Sequence, residues 1–152
     1  MGEREKKLAV LCRIAHALNE EGILWALGGS LLLYFKGRAH EFHDIDIMAG
    51  EADIQAVKRR MCALGELLPP KPNPGYKTRH FLEFVVDGVE VDVMAGFVIV
   101  RDGADYDCSL RPEQVAEHIS LGGEDIPLQR LEDWRRYYEL MGRTEKLKLI
   151  DG

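Results

Sequence analysis

The 152-residue sequence predicts an α+β fold, a mixed β-sheet flanked by helices. Three observations carry that expectation. Residues 4–21 place Leu8, Leu11, Ala15 and Leu18 at helical spacing, with Gly22 in the stop position. The short apolar runs "ILWAL" (23–27) and "DIDIMA" (44–49) have the length of buried strands. Finally, "HFLEFVVDGVEVDVMAGFVIV" carries Asp87-Gly88 between β-rich runs, the strongest short-range hairpin signal.

The elements follow in order. After "ILWAL", Gly28-Gly29-Ser30 leads into "LLLYFK", too apolar for a surface loop. It reads as a short helix with Ser30 near its N-cap and Gly37 closing it. Past "DIDIMA", residues 51–64 form a helix with Ile54, Val57, Met61 and Leu64 on one face. "LLPPKPNPGYK" (67–77) has four prolines and no periodicity, a loop whose length marks a functional edge. A two-residue turn at Asp87-Gly88 pairs Val86 with Val89 and sets Glu83 opposite Asp92. Alternation then puts Val89, Val91 and Val93 on one face, and Glu90, Asp92 and Met94 on the other. "RPEQVAEHI" (111–119) suits a helix with Pro112 at its first position, "LGGEDIPL" a turn or hairpin at Gly122-Gly123, and "LEDWRRYYELMGRTEKLKLI" one or two closing helices. No repeat or linker divides the chain. Residues 1–152 are therefore expected to form one domain, with a core over 5–100 and a closing helical segment over 111–150.

Composition narrows the function. A net charge of −6 disfavours nucleic acid as a partner, because neutralising a phosphate backbone needs a basic surface. No apolar run reaches the length of a membrane span, and "MGEREKKLAV" lacks a signal-peptide core, so a cytoplasmic protein without a membrane partner is expected. Cys12, Cys62 and Cys108 are odd in number and share no CxxC spacing, which favours reduced thiols; Cys12 and Cys62 read as buried small hydrophobes.

The candidate chemistry lies in the acids and glycines. Asp44 and Asp46, two apart on a strand, share a face and can converge on a hard, oxygen-preferring cation, while Ile45 and Ile47 point into the core. Asp92 is a third candidate ligand, and Glu83 opposite it would add a fourth negative charge. A solvent-facing sheet edge explains Asp-Ile-Asp alone equally well. Gly28, Gly29 and Ser30, between a strand and a helix, can bring backbone amides and a hydroxyl to phosphate oxygens, although a plain strand-to-helix turn explains them too. His40 and His43 read as polar loop residues, and Trp134, Tyr137 and Tyr138 as a core or dimer face.

Taken together, "WALGGSLLLYFKGRAHEFHDIDIMAG" and "GVEVDVMAGF" resemble the DNA polymerase β-like nucleotidyltransferase superfamily, and within it the small bacterial aminoglycoside- and lincosamide-type enzymes. The resemblance implies a palm-like nucleotidyltransferase fold. It gives Gly28, Gly29 and Ser30 the triphosphate, Asp44, Asp46 and Asp92 Mg²⁺ (or Mn²⁺), and Asp92 the added role of candidate base. The implied reaction moves an NMP, AMP being expected, from an NTP to a hydroxyl of a small molecule or protein, releasing pyrophosphate. A homodimer is implied by resemblance alone. The chain departs from the family at His40, where many relatives carry arginine, and at Tyr138, where a lysine is common. Arg38 is the expected replacement grip, with Lys77, Arg79, Arg136 and Arg143 as alternatives. Rival readings are a nucleotide-binding module without turnover, a toxin–antitoxin-type modifier of a partner protein, and an Asp-x-Asp glycosyltransferase.

Overall fold

The computed structural model describes residues 2–152. Helix α1 (Glu3–Glu20) buries Val10, Leu11, Ile14 and Leu18 along one stripe, and the chain returns through strand β1 (Trp25–Gly28). Helix α2 (Gly29–Phe35) follows without a break and leads to strand β2 (Ile45–Ala49). Gly28, not Ser30, is the N-cap of α2, and Ser30 sits inside its first turn. The predicted helix over 51–64 opens as a 3-10 turn (Glu51–Asp53) and becomes α-helical as α3 (Ile54–Leu64).

Two-residue strand β3 (Glu66–Leu67) precedes the proline-rich loop, whose Tyr76 makes an isolated bridge to Ile99 outside the large sheet. Strands β4 (His80–Val86) and β5 (Val89–Ala95) then form the expected hairpin in the expected register. Asp87 (φ 55°) and Gly88 (φ 79°) both take the left-handed conformation that such a turn requires. The same device recurs at Asp102-Gly103 (φ 50° and 77°), joining β6 (Val98–Arg101) to β7 (Ala104–Asp107) in a small separate sheet.

Residues 111–119 do not form a helix. Pro112–Gln114 make one 3-10 turn, and Val115–Leu121 continue as β8, paired with β9 (Glu124–Gln129) across Gly122-Gly123. Pairing with β9 supplies the backbone hydrogen bonds and overrides the local helical preference, so the closing helical segment begins only at α4 (Leu131–Met141) and α5 (Thr144–Asp151).

The large sheet runs β3-β4-β5-β2-β1-β9-β8, parallel at β2/β5 and β1/β9 and antiparallel elsewhere. Helices α1 and α3 pack together against it, whereas α2 and α4 meet each other and α4 lies on β6. Ile45, Ile47, Val91 and Val93 are fully buried, which pins β2 and β5 in register. Trp134, Tyr137 and Tyr138 belong to this core. Cys108 is buried and Cys12 half-buried, but Cys62 is exposed, off the apolar stripe of α3. Among the described residues no helix is long and apolar enough to cross a membrane.

Candidate active site

Sheet register builds the site. Gly28 pairs with Asp46, Asp46 with Asp92, and Asp92 with Glu83, so one row crosses four neighbouring strands. Adjacent strands stand about 4.8 Å apart, and residues paired directly across share a face. Three carboxylates thus stand side by side on one face, and Asp44 joins them from the residue preceding β2. Asp44, Asp46 and Asp92 line one cavity of about 270 Å³.

The glycines have separate steric reasons. A Cβ on Gly28 would lie 2.3 Å from the Trp134 ring, so α4 can close onto β1 only over a bare backbone. Gly29 has φ +63°, and a Cβ there would lie 1.9 Å from Asp46 Oδ2. Gly29 therefore lets a carboxylate press against the start of α2. Ser30 lines the cavity, and its Oγ accepts a hydrogen bond from the His43 backbone N–H at 3.1 Å. That bond ties the loop before Asp44 to α2 and leaves the hydroxyl proton free to donate.

The electrostatics follow from crowding. The Asp46 carboxyl is pushed up to about 8, first by burial and then by the charges of Asp92 and Asp44. Asp92 is raised to about 7, first by burial and then by Asp44 and Glu83. Two cations oppose this: Lys146 and Arg143, at the start of α5, line the same cavity and pull Asp46 back down. Burial and the neighbouring Arg143 lower the Lys146 ammonium in turn. Arg143 also lies 6.0 Å from the Tyr138 ring centre, and Tyr138 forms part of the same wall.

The structure brings Ser30, Asp44, Asp46 and Asp92 into one cavity, with Gly28 and Gly29 forming the turn beneath it. Arg38 is not brought in: it is exposed and helps hold the Asp151 carboxyl low, after Arg135. Lys77 pairs with Asp105 at 3.2 Å, Arg79 with Glu51 at 2.9 Å, and Arg136 lies over the Tyr106 ring. Of the cations expected from sequence only Arg143 reaches the cavity, and Lys146 was not among them. The signal for Lys146 was its place in the first turn after Arg143, which caps the start of α5. Among the described residues, no three His, Cys, Asp or Glu side chains are drawn close enough to form a metal-binding cluster on their own.

A mixed sheet bearing strand carboxylates beside a strand–Gly-Gly–helix turn defines a nucleotidyltransferase, and the comparisons agree. The aminoglycoside-2''-adenylyltransferase family model matches residues 10–149, and the chain belongs to that family. A Thermotoga maritima protein provisionally described as a nucleotidyltransferase is 27% identical, with a TM-score of 0.76 over 99% of this chain and 93% of its own. The fold is also that of the antibiotic-resistance factor ANT(2'')-Ia in complex with adenylyl-2''-tobramycin (13% identity, TM-score 0.63, 95% and 87% covered). The lincosamide adenylyltransferase LnuA, lincomycin-bound, shares it as well (12% identity, TM-score 0.64, 97% and 96% covered). No curated protein sequence matches the chain.

Proposed function

We propose that this nucleotidyltransferase is metal-dependent and transfers the adenylyl group of ATP to a hydroxyl of a small molecule. The observation that carries the proposal is the in-register row Asp46–Asp92–Glu83, with Asp44 beside it and Arg143 and Lys146 in the same cavity. Burial first, and then the mutual repulsion of carboxylates packed this closely, raises Asp46 and Asp92. A divalent cation relieves that repulsion, and an all-oxygen donor set suits Mg²⁺ or Mn²⁺. Such ions commonly take one or two carboxylates and complete their shell with water and substrate phosphates. When bound at Asp44, Asp46 and Asp92, the cation supplies neutralisation of charge developing on the phosphoryl oxygens.

The chain's own groups do the rest. The Ser30 hydroxyl and the first amides of α2 donate to the triphosphate, and Lys146 and Arg143 grip its outer phosphates. The acceptor O–H is held at Asp92, whose carboxylate takes the proton as the acceptor oxygen bonds to the α-phosphorus. The bond between that phosphorus and the bridging oxygen breaks, and pyrophosphate leaves.

The test is thermal denaturation with Mg²⁺, ATP and both together, followed by pyrophosphate release with a panel of hydroxyl compounds. Synergistic stabilisation and acceptor-dependent release are expected. Absence of any nucleotide-dependent shift overturns the proposal, and a shift without release under every acceptor reduces the chain to a binding module.

A further inference from the structure

A second cavity of about 500 Å³ adjoins the acidic one and shares Asn73, Tyr76 and Phe81 with it. Its size is that of a small-molecule site. Resting on the nucleotidyl-transfer reading above, we propose that this cavity is the acceptor site and that its occupant is a small hydroxyl compound with an apolar body and no positive charge.

Continuity comes from the hairpin. Glu83 lines the second cavity and Asp92 the first, and the two residues are direct cross-strand partners on one face. A molecule seated against Glu83 therefore lies one strand spacing, about 4.8 Å, from Asp92 in the same row. The shared wall of Tyr76 and Phe81 guides an apolar body from one cavity into the other.

The lining sets the class. Leu67, Leu68, Leu82 and three consecutive-region prolines (Pro69, Pro70, Pro72) make most of the surface apolar, and the prolines hold that wall stiff. Its charged groups are Lys58, Lys71 and Glu83. The only carboxylate is already engaged by Lys71 at 3.6 Å, and among the described residues Lys58 makes no ion pair. Within this cavity a compound with several ammonium groups would meet two like charges and a single occupied partner, and the acids beyond it, Asp44, Asp46 and Asp92, are those proposed to hold the cation, so electrostatic complementarity is lacking. The family's name points to polycationic acceptors; this cavity is built against them.

The experiment uses the full chain with α-labelled ATP and Mg²⁺. The small-molecule fraction of a bacterial extract is split by ion exchange into cationic, neutral and anionic pools, with tobramycin as a defined polycation. Label is expected in products of the neutral or anionic pool and not on tobramycin. Lys58→Glu is expected to reduce transfer to anionic compounds several-fold, and Thr78→Trp, which fills the cavity, to reduce transfer to neutral and anionic compounds alike, while the Mg²⁺–ATP thermal shift stays as in the wild type in both. Transfer confined to the cationic pool or to tobramycin overturns the inference, as does transfer that neither variant alters. Loss of the nucleotide shift in the wild type, or no transfer in any pool while that shift persists, fails the nucleotidyl-transfer reading on which the inference rests, which keeps the two failures apart.

Discussion

The strand wall and the helical wall of the acidic cavity reach the same space by different routes. On the strand wall, Asp46 and Asp92 are placed by backbone pairing between β2 and β5, and buried isoleucines and valines on the opposite face lock the register. On the helical wall, Arg143 and Lys146 arrive only because α4 packs over Gly28 and the chain turns at Gly142 (φ 72°) into α5. The acids are held rigidly by a sheet, and the cations by the docking of a terminal helix pair. Chemistry that needs sub-ångström placement belongs on the first wall, and binding that tolerates adjustment on the second.

The largest effect expected from that division is on the strand wall. Asp46→Asn should lower transfer by about 10³-fold or more, since it removes a charge that no neighbour can replace. The metal-free fold should be unharmed, because a repulsive carboxylate is lost from a half-buried row. Steady-state pyrophosphate release and a denaturation midpoint check both halves. Near-full activity would remove Asp46 from the metal site, and a large loss of stability would give it a structural role.

This wall is also the part that sequence makes legible, for a physical reason. Strand side chains alternate with a period of two, so Asp44, Asp46 and Asp92 announce their face, and the Asp87-Gly88 turn sets the pairing of Glu83 with Asp92. Local rules sufficed because the contacts are backbone ladders. They failed at 111–119, where "RPEQV" has good helix-start chemistry and β9 captures the segment as a strand. The second Asp-Gly turn, at 102–103, carried the same signal as the first and went unread because β6 continues an apolar run from β5. The helical wall was illegible for another reason: whether Arg38, Arg143 or Lys146 meets the phosphates depends on how α5 docks, and no local pattern encodes that.

Lys146→Ala should sharpen the contrast. Losing one charge-assisted contact of about 1.5–3 kcal/mol should raise KM for ATP roughly 10- to 100-fold and leave kcat within a factor of a few. Arg38→Ala should alter neither. The comparison breaks if Lys146→Ala lowers kcat as severely as Asp46→Asn, or if Arg38 proves the stronger grip.

The next effect is on stability rather than rate. Folded Asp46 and Asp92 bind protons up to about pH 8 and 7, whereas an unfolded aspartate releases its proton near 4. Between those values the native state holds more protons, so stability of the metal-free protein falls as pH rises from about 4 to 8 and levels off beyond. Asp46→Asn should flatten that decline, and Mg²⁺ should reverse it in the wild type by neutralising the row. Melting curves across the window with chelator, with Mg²⁺ and for the variant settle the sign; a wild-type stability that rises with pH relative to Asp46→Asn would contradict the raised Asp46 and Asp92 carboxyls.

The smallest effect is expected at Tyr138, which lines the helical wall and stands where many relatives are expected to carry lysine. Its hydroxyl is pushed far above the ordinary phenol range by burial first and by the Asp46 charge next, so it remains protonated and neutral at any working pH. A neutral hydroxyl contributes about 0.5–1.5 kcal/mol to a hydrogen bond, less than the charged groups beside it. Its ring, 5.5 Å from that of Trp134, does the larger share by filling the core under α4. Tyr138→Phe keeps the ring and should change kcat/KM by no more than about threefold. Tyr138→Lys would place a third cation beside Arg143 and should lower stability without improving the nucleotide KM, because Lys146 already occupies that role. If Tyr138→Lys instead tightens ATP binding tenfold, the helical wall is under-charged as it stands, and Lys146 does not substitute for the missing lysine.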